Sequence, residues 1–162
     1  MTDDWRALNR ANSDERVAIH LGPGGYDLAP LRAGRGQLDA IVEAELGSVS
    51  RLRVFHLQCG KDSLVLASRG AEVTGLDFSG AAIDAARRLA TELGLSARFV
   101  QADVYDAPAA IPEAAGFDLV FTTWGTITWL PDVTKWARVV ASFLRPGGSF
   151  YFADAHPDGD GV

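Results

Sequence analysis

"RLRVFHLQCGKDSLVLASRGAEVTGLD", residues 51–77, decides how the rest of the chain is read. "LRVFHL" is a short β-branched and aromatic run, which predicts a strand. "SLVLASRG" is helical in pattern, with Gly70 as its C-terminal stop. "EVTGLD" predicts a second strand. Between the first strand and the helix lies "HLQCGKDS", His56 to Ser63. A loop in that position is where many α/β proteins hold a nucleotide, yet it carries a single glycine, Gly60.

Strands and helices go on alternating toward the C-terminus. "SGAAIDAARRLATELG" is the clearest helix, with Ser79 as N-cap and Gly94 just past its end. Ala82, Ile83, Ala86, Leu89, Ala90 and Leu93 fall on one face of it. "ARFVQ" predicts the third strand and "FDLVFT" the fourth. "DVTKWARVVASFL" is a helix ended by "RPGG", and "SFYFAD" predicts the fifth strand. This alternation implies an α/β fold: a doubly wound parallel sheet covered on both faces, with inferred order 3-2-1-4-5. Such sheets bind ligands beyond the C-terminal strand ends where the order reverses, here between strands one and four.

Composition narrows the partner. An apolar fraction of 48% and a charged fraction of 22% describe a globular domain with no run long enough to span a membrane. A polar, acidic start without an apolar leader core points to the cytoplasm. A net charge of −6 with scattered basic residues argues against nucleic acid. The single cysteine, Cys59, and three dispersed histidines, His20, His56 and His156, argue against a disulfide or a metal site.

The loops carry the chemistry. Asp77 ends the second strand 21 positions after His56, the spacing at which a carboxylate takes ribose hydroxyls. Asp103 follows the third strand, where it either accepts from an adenine amino group or serves only as a turn residue. Phe78 and Val104, each directly after an aspartate, could close on the purine faces; Phe78 as plain core is the other reading. A dinucleotide needs G-x-G-x-x-G to bring backbone N–H groups round its pyrophosphate. Here Asp62 stands where phosphate would lie and two glycines are missing, which disfavours NAD or FAD. An adenosyl ligand without phosphate, such as S-adenosylmethionine, tolerates this loop, and its positive groups favour acidic neighbours.

From Arg51 to Asp154 the chain resembles the class I S-adenosylmethionine-dependent methyltransferases. "VFHLQCGKDSLVLASRGAEVTGLDFS" resembles the first motif with its acidic partner, "QADVYD" the adenine motif, "FDLVFTTWGTITWL" the segment facing methionine and acceptor, and "LRPGGSFYFAD" the turn into the fifth strand. The family's usual loop has an acidic residue at His56 and glycines at Gln58 and Asp62; a bacterial small-molecule subgroup has His-Leu-Gln-Cys instead. The resemblance implies a Rossmann-like core and a cofactor set of Tyr26, His56, Gln58, Cys59, Gly60, Asp77, Phe78, Asp103, Val104, Thr122 and Thr123. Thr122 and Thr123 would present backbone groups. His56 is either a hydrogen-bonding group at the methionine end or a buried strand residue, and Cys59 reads as a small packing residue.

The subgroup's N-terminal arm lies over the cofactor, and "ERVAIHLGPGGYDL" resembles it. This puts His20 and Tyr26 near the site, with Trp124 as a wall; these three are the candidates for a catalytic role. Residues 1–50 are then an arm or lid, 51–154 the binding core and 155–162 a frayed tail. The family's last two strands do not appear, so the chain reads as a shortened form of a longer enzyme. The fifth strand becomes an apolar edge on which a homodimer could form. The expected function is methyl transfer from S-adenosylmethionine to a small-molecule acceptor, leaving S-adenosylhomocysteine. The alternative is a non-catalytic cofactor-binding or interaction module of the same fold.

Overall fold

The computed structural model describes residues 4–155; the expected tail, apart from Ala155, lies outside the described residues. The elements run α1 (Asp4–Leu21), α2 (Ala29–Arg32), α3 (Ala40–Glu45), β1 (Arg53–Leu57), α4 (Lys61–Ser68), β2 (Glu72–Asp77) and α5 (Gly80–Glu92). They continue with β3 (Ala97–Gln101), a 3-10 turn (Val104–Asp106), α6 (Ala107–Ala110), β4 (Phe117–Thr123), α7 (Val133–Phe143) and β5 (Leu144–Ala153). The five strands form one parallel sheet in the order 3-2-1-4-5, a Rossmann-like arrangement.

The side chains explain the layering. Strand residues alternate between faces, so each central strand feeds two cores. Val54, Leu119 and Phe121 point to one core with Leu64, Val65 and Ile83 from α4 and α5. Phe55, Leu57, Phe117 and Val120 point to the other with Val139, Val140 and Phe143 from α7. In the second core the rings of Phe55, Phe117 and Phe143 lie 4.5–6.0 Å apart in tilted and stacked pairs. Burying each ring contributes about 2–3 kcal/mol from area alone.

The helix boundaries follow their capping residues. Ser79 Oγ accepts from Ala82 N at 3.0 Å at the start of α5, and Asp132 accepts from Lys135 N at 2.8 Å at the start of α7. Two findings differ in detail from the sequence expectation. β5 begins at Leu144, directly after α7, and includes the "RPGG" segment as an irregular opening. Phe117 faces Leu144 and Leu119 faces Ser149, so extra residues bulge out between them, and Gly147 takes φ 77° to make the bend.

The expected arm also divides in two. Leu31, Leu38, Val42 and Val49 are buried in the same core as α4, so residues 29–49 are integral to the body. α1 forms a layer of its own over α5, with Trp5 partly buried against the α7-side core. It is a polar 18-residue helix with Leu8 and Ile19 turned to solvent. Among the described residues no helix is long and apolar enough to cross a membrane.

Candidate functional site

β1, β2 and β4 end side by side, and the reversal of strand order falls between β1 and β4. The loop after β1 is tied to β2 by Cys59 N–H donating to Leu76 O at 2.8 Å. Cys59 packs on Gly75, where a Cβ would come within 2.9 Å of the Cys59 Cβ, so a side chain larger than hydrogen is not accommodated. Burial pushes the Cys59 thiol well up, with the nearby Asp77 adding to the effect, so it stays protonated. Its role is packing at the cleft wall.

Two non-glycine residues take left-handed backbone conformations at these strand ends: Gln58 (φ 56°) and Trp124 (φ 50°). Each conformation costs on the order of 1–3 kcal/mol and has to be held by its surroundings. Gln58 Nε2 donates to Thr126 O at 2.8 Å, while its Oε1 is buried with no hydrogen-bond partner among the described residues. Trp124 N–H donates to Ala153 O at 2.8 Å. The loop Gly125–Ile127 is gripped by Asp154, whose carboxylate accepts from Gly125 N at 2.5 Å, Thr126 N at 3.2 Å and Ile127 N at 3.3 Å. Burial alone would raise the Asp154 carboxyl; these N–H groups outweigh it and hold it below the usual range.

Three cavities meet around the loop after β1. One, of about 430 Å³, is bounded by Tyr26, His56, Gln58, Gly60, Asp62 and Trp124. A second, also about 430 Å³, lies under α1 between Asn9, Asn12 and Arg16 on one side and Gln58, Asp77, Phe78 and Trp129 on the other. The third, about 230 Å³, is largely apolar and runs between α1 and the α4–α5 pair, with Val17, Leu64, Ala86 and Leu89 along it. Gly60 opens onto this space: a Cβ there would meet nothing within 4 Å.

Asp77 stands between the second and third cavities. Its Oδ1 accepts from Ser79 N at 2.8 Å, which fixes the carboxylate at the border of the two cavities. Burial raises its pKa to about 7, with Asp14 of α1 adding repulsion against the opposing help of the Ser79 and Phe78 N–H groups. Asp62, at the first turn of α4, is raised by burial too, and its Oδ2 lies 3.5 Å from Thr123 Oγ1.

His56 is buried at 2% exposure on the floor of the first cavity. Its Nδ1 lies 2.7 Å from Ser63 Oγ and its ring meets Phe121 edge-on. Burial lowers its pKa to about 3, so it is neutral. Tyr26 and His20 stack at 4.7 Å at the mouth. Burial, reinforced by Asp62, raises the Tyr26 phenol, which keeps its proton.

His20, Tyr26, His56, Gln58, Cys59, Gly60, Asp77, Phe78, Thr123 and Trp124 thus border connected cavities. Thr122, Asp103 and Val104 do not. Thr122 is wholly enclosed in β4, and Val104 belongs to the α7-side core. Asp103 is a turn residue: Oδ1 accepts from Tyr105 N at 2.9 Å and Oδ2 lies 3.3 Å from Arg6 Nε of α1. Phe78 stacks on Trp129, ring centroids 5.0 Å apart. The sequence reading gave no role of their own to Trp129, Arg6, Asp14 and Asp154. Asp154 had a visible signal, an acidic residue at the end of a strand, and Trp129 lies in the quoted segment after the fourth strand; Arg6 and Asp14 had none. Among the described residues no three His, Cys, Asp or Glu side chains gather as a metal cage requires.

The sequence pattern of the methyltransferase domain matches residues 57–148. The ubiquinone biosynthesis O-methyltransferase of Alkalilimnicola ehrlichii is 32% identical over 130 residues, covering 79% of this chain and 49% of that one. The chain therefore spans about half the length of the curated relatives it matches. An S-adenosylmethionine-dependent methyltransferase from Mesorhizobium loti superposes with a TM-score of 0.62 at 29% identity, covering 72% of this chain and 52% of that one. The magnesium protoporphyrin IX methyltransferase of Synechocystis, solved with bound S-adenosylhomocysteine, shares the fold with a TM-score of 0.63 at 21% identity, over 86% of this chain and 66% of that one.

Proposed function

Because the chain belongs to the S-adenosylmethionine-dependent methyltransferase family, we propose that it binds this cofactor across the C-terminal edge of its sheet and supports methyl transfer to a small molecule. One observation carries the reading: Asp77, its carboxylate fixed by the Ser79 N–H, borders the cleft beside an uncrowded Gly60. The residues suit the cofactor at two of its ends. Asp77 would accept from the ribose hydroxyls. Gln58 Oε1, otherwise without a partner, and the backbone around Gly60 would receive the methionine ammonium end.

When bound, the cofactor supplies an activated methyl group on a sulfonium. The protein's part is then positioning and exclusion of water. Trp124 walls the first cavity, His56 and Ser63 brace its floor, and Asp154 keeps the Gly125–Ile127 loop in place. Tyr26 would offer its phenol proton to a ligand at the mouth, and His20, stacked on it, is our candidate to take a proton from an acceptor hydroxyl. The relatives' names favour oxygen as the acceptor atom. Acidic Asp62 and Asp39 beside the first cavity fit the sulfonium side of that reading.

The wider reading is a core that includes residues 29–49, with α1 as the lid, in the cytoplasm. The outer edge of β5 exposes Phe150 at 40% and Phe152 at 39%, and we assign it to self-association with a second copy. The same edge favours the second reading, an interaction module that keeps the cofactor without turnover. Titration calorimetry tests the proposal: the chain should bind S-adenosylhomocysteine, and Asp77→Ala should lose about 1–3 kcal/mol of affinity, the scale of hydrogen bonds to a charged group. Unchanged affinity in Asp77→Ala would remove the ribose assignment. Binding without methyl transfer to any phenolic acceptor would favour the module.

A further inference from the structure

Of the three cavities at the cleft, His20 borders only the third. A hydroxyl that gives its proton to His20 therefore has to enter that cavity. Most of the remaining wall is hydrocarbon: Val17 and Leu21 from α1, Leu64 from α4, and Ala82, Ala86 and Leu89 from α5. The cavity joins the first at Cys59, Gly60 and Tyr26 and the second at Asp77, so it opens on the space proposed for the cofactor. Its volume of about 230 Å³ exceeds the ~150 Å³ of an apolar cavity that takes up benzene.

The apolar lining does not stop there. Leu21, Tyr26, Leu28, Ala85 and Leu89 also border a groove of about 460 Å³ that runs out between α2 and the end of α5. Along α5 the shared wall passes from Ala82 through Ala85 and Leu89 to Glu92, one helical face about 15 Å long. At the junction Leu21 is 40% exposed and Tyr26 47%, so apolar surface stands bare in the middle of this path. Charge gathers at the outer end, where Arg32 Nε donates to Glu92 Oε1 at 2.6 Å.

We infer that the third cavity and this groove form one channel for the hydrocarbon tail of the acceptor, whose hydroxyl end lies at His20. The inference rests on the methyl-transfer reading above and names its substrate class: a phenol or alcohol that carries an unbranched apolar chain. A tail in the channel covers Leu21 and Tyr26 and is itself taken out of water, which is favourable for every methylene buried. A small polar acceptor would instead lose its water against Val17, Leu64 and Leu89, which return no hydrogen bond. Because the groove is open to solvent, a tail longer than the channel runs on past Arg32 and Glu92 instead of clashing.

The test is a calorimetric series of para-alkylphenols, from p-cresol to para-pentylphenol, titrated into the chain with and without S-adenosylhomocysteine. Each added methylene should tighten binding about three- to fourfold, so the pentyl compound should bind on the order of 100-fold more tightly than p-cresol. Ala85→Leu places a larger side chain where the cavity and the groove join and should flatten the series. Leu89→Gln, of similar volume but polar, should reduce the gain per methylene. Retained heat with S-adenosylhomocysteine shows that either variant is folded. A gain below about tenfold over the series in the wild-type chain would overturn the channel. So would an equal gain in both folded variants, since the tail would then lie elsewhere. Heat with S-adenosylhomocysteine and no alkyl gain would remove the channel and keep the methyl-transfer reading. An alkyl gain lost in Ala85→Leu, in a chain that gives no heat with S-adenosylhomocysteine, would keep the channel and remove that reading.

Discussion

The protonation of Asp77 should make cofactor binding depend on pH. Burial, with repulsion from Asp14, raises this carboxyl to about 7 in the free protein. In the proposed complex ribose hydroxyls would donate to it, so binding would favour the ionised form. At pH 5.5 about 3% of Asp77 would be ionised, and at pH 7.5 about three quarters. If only the ionised form binds well, the dissociation constant for S-adenosylhomocysteine should fall about 25-fold between those pH values, or about 1.9 kcal/mol. That is a ceiling, since a protonated acid still accepts one hydrogen bond through its carbonyl. The charged and polar groups facing Asp77 are Asp14, Ser13 and Arg16 on α1, Ser79 at the start of α5, and Cys59 on the loop after β1. Calorimetry at half-unit steps would give the profile. Asp77→Asn supplies the subtraction: it removes this titration while leaving that of the ligand's own amine. A wild-type profile that stays parallel to that of Asp77→Asn would refute the reasoning, because the carboxylate would then not be the group that receives the sugar.

Stability should show the same group with the opposite sign. A carboxyl raised to about 7 contributes stability that is full below its unfolded value, near 3.8, and lost as pH rises through 7. His56, lowered to about 3, contributes stability present above 6.5 and lost as pH falls below it. The two slopes oppose each other between about pH 4 and 6.5. Asp77→Asn should therefore uncover a rise of up to about 3 kcal/mol across that window in urea denaturation; a flat curve would refute the buried neutral histidine. His56→Ala removes the hydrogen bond to Ser63 and leaves a gap against Phe121, so it should cost about 2–4 kcal/mol in the same assay, while a loss below 1 kcal/mol would mean that His56 braces nothing. Sedimentation velocity should find a dimer for the wild-type chain and a monomer for Phe152→Lys; a wild-type monomer at every concentration would rule out pairing along β5.

Much of the fold was legible because it is written locally. Ser79, Asp132 and the Gly70 stop mark helix ends through hydrogen bonds to residues a few positions away. Apolar periodicity separates strands from helices, and their alternation forces parallel pairing with helices on both faces. Asp77 was legible by its distance from the loop after β1. Gln58 was half legible: the resemblance marked it as standing where a glycine is usual, and its φ of 56° gives the physical reason for that glycine. What escaped were partners without a local signal. Trp129 lies 51 positions from Phe78 and Arg6 lies 97 from Asp103, and no periodicity announces either pair. Asp103 is the clearest case, since turn residue and purine acceptor look alike in sequence.

The sequence by itself therefore determined the order of elements, the parallel sheet and the loops that border the cleft, because capping, turn geometry and face alternation act over a few residues. Only the tertiary structure decided which of those loop groups are reachable and how each is charged. Whether Asp77 titrates near neutrality, whether His56 can be protonated and whether Asp103 is covered all depend on what α1 and the facing strand lay over them. Desolvation and ion pairing are set by neighbours brought together through space.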